Sequence, residues 1–206
     1  MMKDPRYAKF VVLVNGLVPL AILCWDAYRG QAGANPTETM IHTTGVLALV
    51  FLLLSLAVTP ARKISGYNWL SHFRRMLGLF AFFYGCLHLS SYFIFDRGGS
   101  FAGMVHDVAG KPFILLGMAA LLLMAPLAAT STNAMIKRLG AARWKRLHQL
   151  VYPAAIFAAT HFWLSKKADK AQPLAFAGVL AVLLGYRLLA VLRKRRASPP
   201  ARAVAA

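Results

Sequence analysis

Apolar residues in this chain come in runs of about eighteen, set apart by short polar joints. About 20 residues rising ~1.5 Å each cross a ~30 Å hydrocarbon core, so such runs predict membrane-spanning helices. Six can be drawn: Phe10–Trp25, Ile41–Thr59, Met76–Phe95, Pro112–Ala129, Leu147–Leu164 and Leu174–Leu192. The expected fold class is all-α, an integral membrane bundle of six transmembrane helices over residues 1–192, followed by a short basic tail at 193–206. Pro19, Pro126 and Pro153 fall inside these runs. They would disrupt soluble helices but are tolerated in membrane helices, where neighbours satisfy the freed carbonyls. The first run follows Lys3, Arg6 and Lys9 and so looks like a signal peptide. No A-x-A site comes after it, and Leu23 is too bulky for lipoprotein-type cleavage before Cys24, so it is expected to remain as an anchor.

Charge orients the bundle. Hydrophobic residues make up 59% of the chain and charged residues 15%, yet the formal charge is +18. The N-terminus, the 60–75 and 130–146 joints and the C-terminal end hold eighteen of the 24 Lys and Arg residues. The other three joints hold the remaining basic residues together with Asp26, Glu38, Asp96, Asp107 and Asp169. Basic residues flank spans on the cytoplasmic side, which puts both termini inside. The basicity thus reads as a topology signal and an attraction to anionic membrane lipid, and no nucleic-acid partner is expected. Cys24 and Cys86 lie within apolar runs and imply no disulfide framework. The sequence shows no internal repeat, no dinucleotide or phosphate-binding glycine loop and no C-x-x-C-H for covalent haem attachment.

Six histidines remain to be placed, at 42, 72, 88, 106, 148 and 161. His72 and His106 sit in joints beside other polar groups and are expected to be ordinary solvated or interfacial residues. His42 opens the second run on the outer side; it could gate quinone or touch an outer partner, but an interfacial residue is the expectation. His88 and His161 lie deep in apolar runs, where ionisable groups are costly and face a cavity, a partner or a cofactor. A neutral imidazole bonded to Ser90 or Thr160 is the plain alternative for each. The third and fifth runs both run outward from the cytoplasmic face. His88 lies fourteen residues beyond Arg74 and His161 thirteen beyond His148, so the two reach nearly the same depth towards the outer face. Two neutral imidazoles facing each other across a gap are the axial ligands of a six-coordinate, non-covalent b-type haem.

His148 stands at the inner mouth of its run, ~20 Å below His161 along the helix axis. That depth suits a second metal centre, but Arg74 and Arg75 occupy the matching place on the third run. An arginine pair suits haem propionates or the phosphate of another cofactor. An interfacial role for His148 stays open. On a straight helix His148 and His161 would also point about 140° apart, unless Pro153 alters the winding between them.

Several stretches, taken in order, carry a likeness: "NP" at 35–36, "HTTG" at 42–45, "VTP" at 58–60, "RRMLGL" at 74–79, "YGCLHL" at 84–89, "KP" at 111–112, "LAATS" at 127–131, "LG" at 139–140 and "W..LHQLVY" at 144–152. A histidine stands nine residues after the last of these. Together they resemble the MsrQ (YedZ) family, haem-bearing inner-membrane subunits of the bacterial system that repairs oxidised methionine in periplasmic proteins. The resemblance implies His88, His161 and His148 as the haem-related positions, with a distant kinship to ferric reductases and NADPH oxidases. It further implies haem b (one, or two), FMN, a periplasmic molybdopterin-containing methionine-sulfoxide reductase partner, and the quinone pool or a cytosolic flavin reductase as electron donor. Arg74 and Arg75 depart from the wider two-haem pattern, which has a histidine there.

With a histidine pair and no catalytic domain, the chain reads as an electron-transfer subunit whose part is to hold haem, set its potential and dock partners. An autonomous ferric or oxygen reductase is the alternative. A small proton-coupled transporter is the reading from another class, and it lacks the intramembrane carboxylates a proton path needs.

Overall fold

The computed structural model describes residues 5–197; Lys3 and the last nine residues of the expected tail lie outside them. Among the described residues nine α-helices follow one another: α1 (Pro5–Tyr28), α2 (Pro36–Ser65), α3 (Arg74–Ser91), α4 (Phe101–Gly110), α5 (Pro112–Ala129), α6 (Asn133–Leu139), α7 (Ala141–Leu147), α8 (Val151–Ser165) and α9 (Ala171–Ala197). Among the described residues there is no strand.

Local chemistry sets the ends of α2. The Asn35 side chain accepts from the Glu38 N–H at 3.2 Å, and Pro36 occupies the first turn, where its missing N–H costs nothing. At the other end Gly66 adopts φ 75°, a left-handed cap open to glycine, and its N–H bonds the Arg62 carbonyl at 3.0 Å. The helix therefore runs six residues past the expected limit at Thr59, straight through Pro60. Pro60 lacks the N–H that would bond the Leu56 carbonyl. Arg187 of α9 supplies the replacement: its Nη2 donates to that carbonyl at 2.7 Å and its Nη1 to the Tyr152 hydroxyl at 2.6 Å.

Among the described residues five helical stretches are long and apolar enough to cross a membrane: Tyr7–Tyr28, Pro36–Ser65, Asn68–Asp96, Pro112–Ala129 and Ala171–Arg193. The expected run Leu147–Leu164 is built differently. Its entrance, His148–Leu150, is a 3₁₀ turn, and α8 proper has 15 residues. Pro153 lies in the first turn of α8, where no intrahelical bond is lost. The tighter turn also moves the azimuth. Three steps at about 120° instead of 100° bring His148 and His161 to roughly 80° apart, not 140°.

Helices pack as two principal pairs, α2 with α3 and α5 with α8, and α9 closes against α8 and α2. The core between them holds Leu52, Leu56, Ala81, Tyr84, Ala154 and Ala155, with Phe51 stacked on both Phe80 and Tyr84. Alanines at the closest approaches let helix backbones near one another, as in other membrane bundles. Large apolar side chains such as Ile22, Leu122 and Val182 point outward, which suits a lipid surround. Beyond α3 a π turn, Tyr92–Asp96, and the short amphipathic α4 form the joint that leads to α5.

Candidate functional site

His88, near the end of α3, turns its Nδ1 to the Ile41 carbonyl of α2 at 2.8 Å. His161, on α8, turns its Nδ1 to the Phe113 carbonyl of α5 at 2.6 Å. A carbonyl only accepts, so each Nδ1 carries the hydrogen and each Nε2 keeps its lone pair. Neither ring uses the expected local partner; the Thr160 hydroxyl bonds the Ile156 carbonyl of its own helix.

Each ring also rests on a glycine four residues past the carbonyl that orients it. A Cβ on Gly45 would stand 2.9 Å from His88 Nδ1, and one on Gly117 would stand 2.8 Å from His161 Nδ1. The α2–α3 and α5–α8 pairs therefore repeat one device: carbonyl and glycine on the first helix, histidine on the second. No repeat of residue types announces it, because "IHTTG" and "FILLG" share only the glycine.

The two imidazoles meet across a cavity of about 640 Å³ enclosed by α2, α3, α5 and α8. Their ring centres are 5.9 Å apart and their planes lie at 77°. Metal–imidazole bonds of about 2 Å on either side of one ion would place two ring centres roughly 6 Å apart, so the pair fits axial ligation of a single iron. No group of three or more His, Cys, Asp or Glu able to hold a metal ion is formed among the described residues. Two neutral imidazoles lining one roomy, mostly apolar cavity suit a macrocycle that brings its own remaining ligands.

The inner candidates are arranged less completely. His148 donates through Nδ1 to the Trp144 carbonyl at 3.1 Å and stacks on the Trp144 ring at 3.8 Å. Its Nε2 is buried without a partner, which suits a ligand atom. Arg74 and Arg75 lie near enough for their charges to act on it. Arg75 Nη1 bonds the Asn133 side chain at 2.9 Å, while the Arg74 carbonyl accepts from the Ser55 hydroxyl at 3.1 Å. None of the three lines the cavity that holds His88 and His161.

His72 and His106 are exposed, as expected. His42 is more than an interfacial residue. It lines the cavity, sits 6.0 Å from the Phe162 ring and keeps a buried, unpartnered Nε2. Sequence reasoning also missed the group around Asp107, which is 3% exposed. Asp107 accepts from the Tyr92 hydroxyl and pairs with Arg97 and, at 2.9 Å, with Lys111. The Tyr92 hydrogen bond, then Lys111 and Arg97, hold its carboxyl below the usual carboxylate range. The one readable signal was the i,i+4 spacing of Asp107 and Lys111.

Comparison with known proteins shows the family of the chain. The family described as "Ferric reductase like transmembrane component" matches residues 44–159, a stretch that holds Gly45, His88, Gly117 and His148. A Rhodospirillum rubrum protein is 46% identical over 200 residues, covering 95% of both chains. One from Ralstonia nicotianae is 47% identical over 196 residues, covering 94% of this chain and 90% of its own. One from Bordetella pertussis is 45% identical over 192 residues, covering 92% and 93%. Each of the three is named protein-methionine-sulfoxide reductase heme-binding subunit MsrQ.

Proposed function

The chain belongs to the MsrQ family of haem-binding subunits, within the ferric reductase-like transmembrane proteins, and from that membership we propose that it is a b-type cytochrome of the bacterial inner membrane. In this reading it takes electrons from the quinone pool or a cytosolic flavin reductase. It passes them to a periplasmic, molybdopterin-containing methionine-sulfoxide reductase subunit. The observation that carries it is the pair of imidazoles, each bonded through Nδ1 to a backbone carbonyl, that line one cavity from α3 and α8.

His88 and His161 would hold haem b, which supplies one-electron reduction and oxidation when bound. The chain's own work is positional. The Ile41 and Phe113 carbonyls fix both tautomers and enrich the ring nitrogens in electron density. Gly45 and Gly117 set how close each ring lies to its neighbouring helix. Leu49, Leu52, Met124 and Ala158 give the cavity walls a low dielectric and keep water out.

His148, with Arg74 and Arg75, is proposed to hold a second, inner haem; its unpartnered Nε2 supports this. FMN belongs to the same proposal, with no residues assigned to it. The membrane domain is proposed to have six spans with both termini cytoplasmic, α8 and its 3₁₀ entrance forming the fifth. Pyridine haemochrome analysis of the purified chain, with an optical spectrum, tests the core of this reading. Haem b in stoichiometric amount with a low-spin Soret band is expected, and a chain without a Soret band ends the cytochrome assignment.

A further inference from the structure

The cavity is polar at one end only. Its deep end is walled by Leu49, Leu52 and Met124, and its outer rim carries Arg97, Lys111, Lys166 and Lys167 against Glu38 and Asp96. A ligand filling it must therefore be apolar over most of its body and anionic along one edge. Two features show that the rim is built and not merely basic. First, Asp107 stands behind it, buried, and grips Arg97 and Lys111 together while the Tyr92 hydroxyl bonds the same carboxylate. Arg97 and Lys111 still have spare N–H donors, because a guanidinium has five and an ammonium three. Second, on the opposite edge, His42 Nε2 is buried with no partner. Lys166 lines the same edge, and among the described residues no carboxylate pairs with it.

We propose that this mouth is a two-sided carboxylate site receiving the two propionates of the haem, His42 and Lys166 on one edge and Arg97 and Lys111 on the other, with Asp107 as the positioning residue behind them. It rests on the haem reading above and adds which way the group faces and what holds its edge. A buried neutral imidazole and an ammonium each donate to a carboxylate, and such charge-assisted bonds are the strong ones.

The test uses the full chain produced without haem and titrated in detergent with haemin and with haemin dimethyl ester, which keeps the iron and ring but lacks both charges. The low-spin Soret band and the haem off-rate are the readouts. Native protein is expected to bind haemin about tenfold more tightly than the ester or better, the worth of a single charge-assisted bond. In His42→Leu/Lys111→Met that preference should fall below about twofold while ester affinity is unchanged. Asp107→Asn should weaken haemin severalfold and leave the ester alone, whereas a merely structural role would weaken both. Equal binding of haemin and ester by native protein overturns the proposal, as does a preference that survives the double variant. If neither ligand gives a low-spin spectrum, the haem reading fails and takes this inference with it.

Discussion

A hydrogen bond from one ring nitrogen fixes which nitrogen of a histidine is left free to ligate, and here two backbone carbonyls do that for His88 and His161. The depth of the two histidines was legible from their distance to the basic joints. Their tautomers and the glycine behind each ring were not, because both depend on which helix faces which. Adding a methyl group at Gly117 or Gly45 puts carbon within 3 Å of an imidazole. Overpacking of that kind costs about 1–3 kcal/mol. Gly117→Ala and Gly45→Ala should therefore turn part of the low-spin Soret band high-spin, with a chain that stays helical by circular dichroism. His88→Ala and His161→Ala should remove that band altogether. The 77° between ring planes makes a further expectation. Near-perpendicular imidazoles leave two iron d orbitals nearly degenerate, so the oxidised protein should give a strongly anisotropic low-spin EPR signal. A rhombic spectrum typical of parallel rings would show that the rings turn on haem binding.

Among the elements, the long apolar runs were readable and their ends were not. Pro60 reads as a stop, yet α2 continues through it because Arg187, 131 residues away, donates to the carbonyl that proline leaves free. No local pattern can announce so distant a partner. In the fifth run Pro153 marks where the winding could change, and the change lies just ahead of it, in a 3₁₀ entrance. Replacing Arg187 with Met leaves the Leu56 carbonyl and the Tyr152 hydroxyl without their donor. A buried polar group left so costs about 1–3 kcal/mol. The variant should melt several degrees lower in detergent while its His88–His161 spectrum is unchanged, since Leu56 lies below the deep end of that cavity. Helix α4 exposes His106 yet buries Asp107. Its lowered carboxyl pKa sets a direction. The ion pairs contribute fully above the ordinary carboxylate value of about 3.9 and are lost as pH falls through the lower folded value. Acid titration should therefore release haem in a step near or below that value, and Asp107→Asn should abolish the step.

Across the whole molecule, two helix pairs bring His88 and His161 to a shared cavity, which His42 also lines, and His148 stands at the 3₁₀ entrance of α8. Thirteen residues, three of them in a 3₁₀ turn, separate His148 from His161 by about 21 Å of axis. Centres so far apart share no ligand and no wall, which makes their loss separable. His148→Ala should lower haem per chain while the remaining haem keeps the bis-histidine spectrum and is still reduced by dithionite. His88→Ala should do the reverse, leaving the centre near His148. Arg74→Ala and Arg75→Ala should loosen the inner group less than His148→Ala, because an edge contact holds a cofactor less firmly than its iron ligand does. Sidedness is the remaining link, for a wire across a membrane needs its two ends on opposite faces. A cytoplasm-active reporter fused after Ala206 should be active, and the same reporter inserted in the 96–111 joint should be silent. With that outcome the His42–Asp107 mouth opens to the periplasm, and His148 lies on the cytoplasmic side. If His148→Ala keeps its full haem content and its delivery of electrons to the periplasmic subunit, the protein works with one haem and His148 only caps the helix mouth.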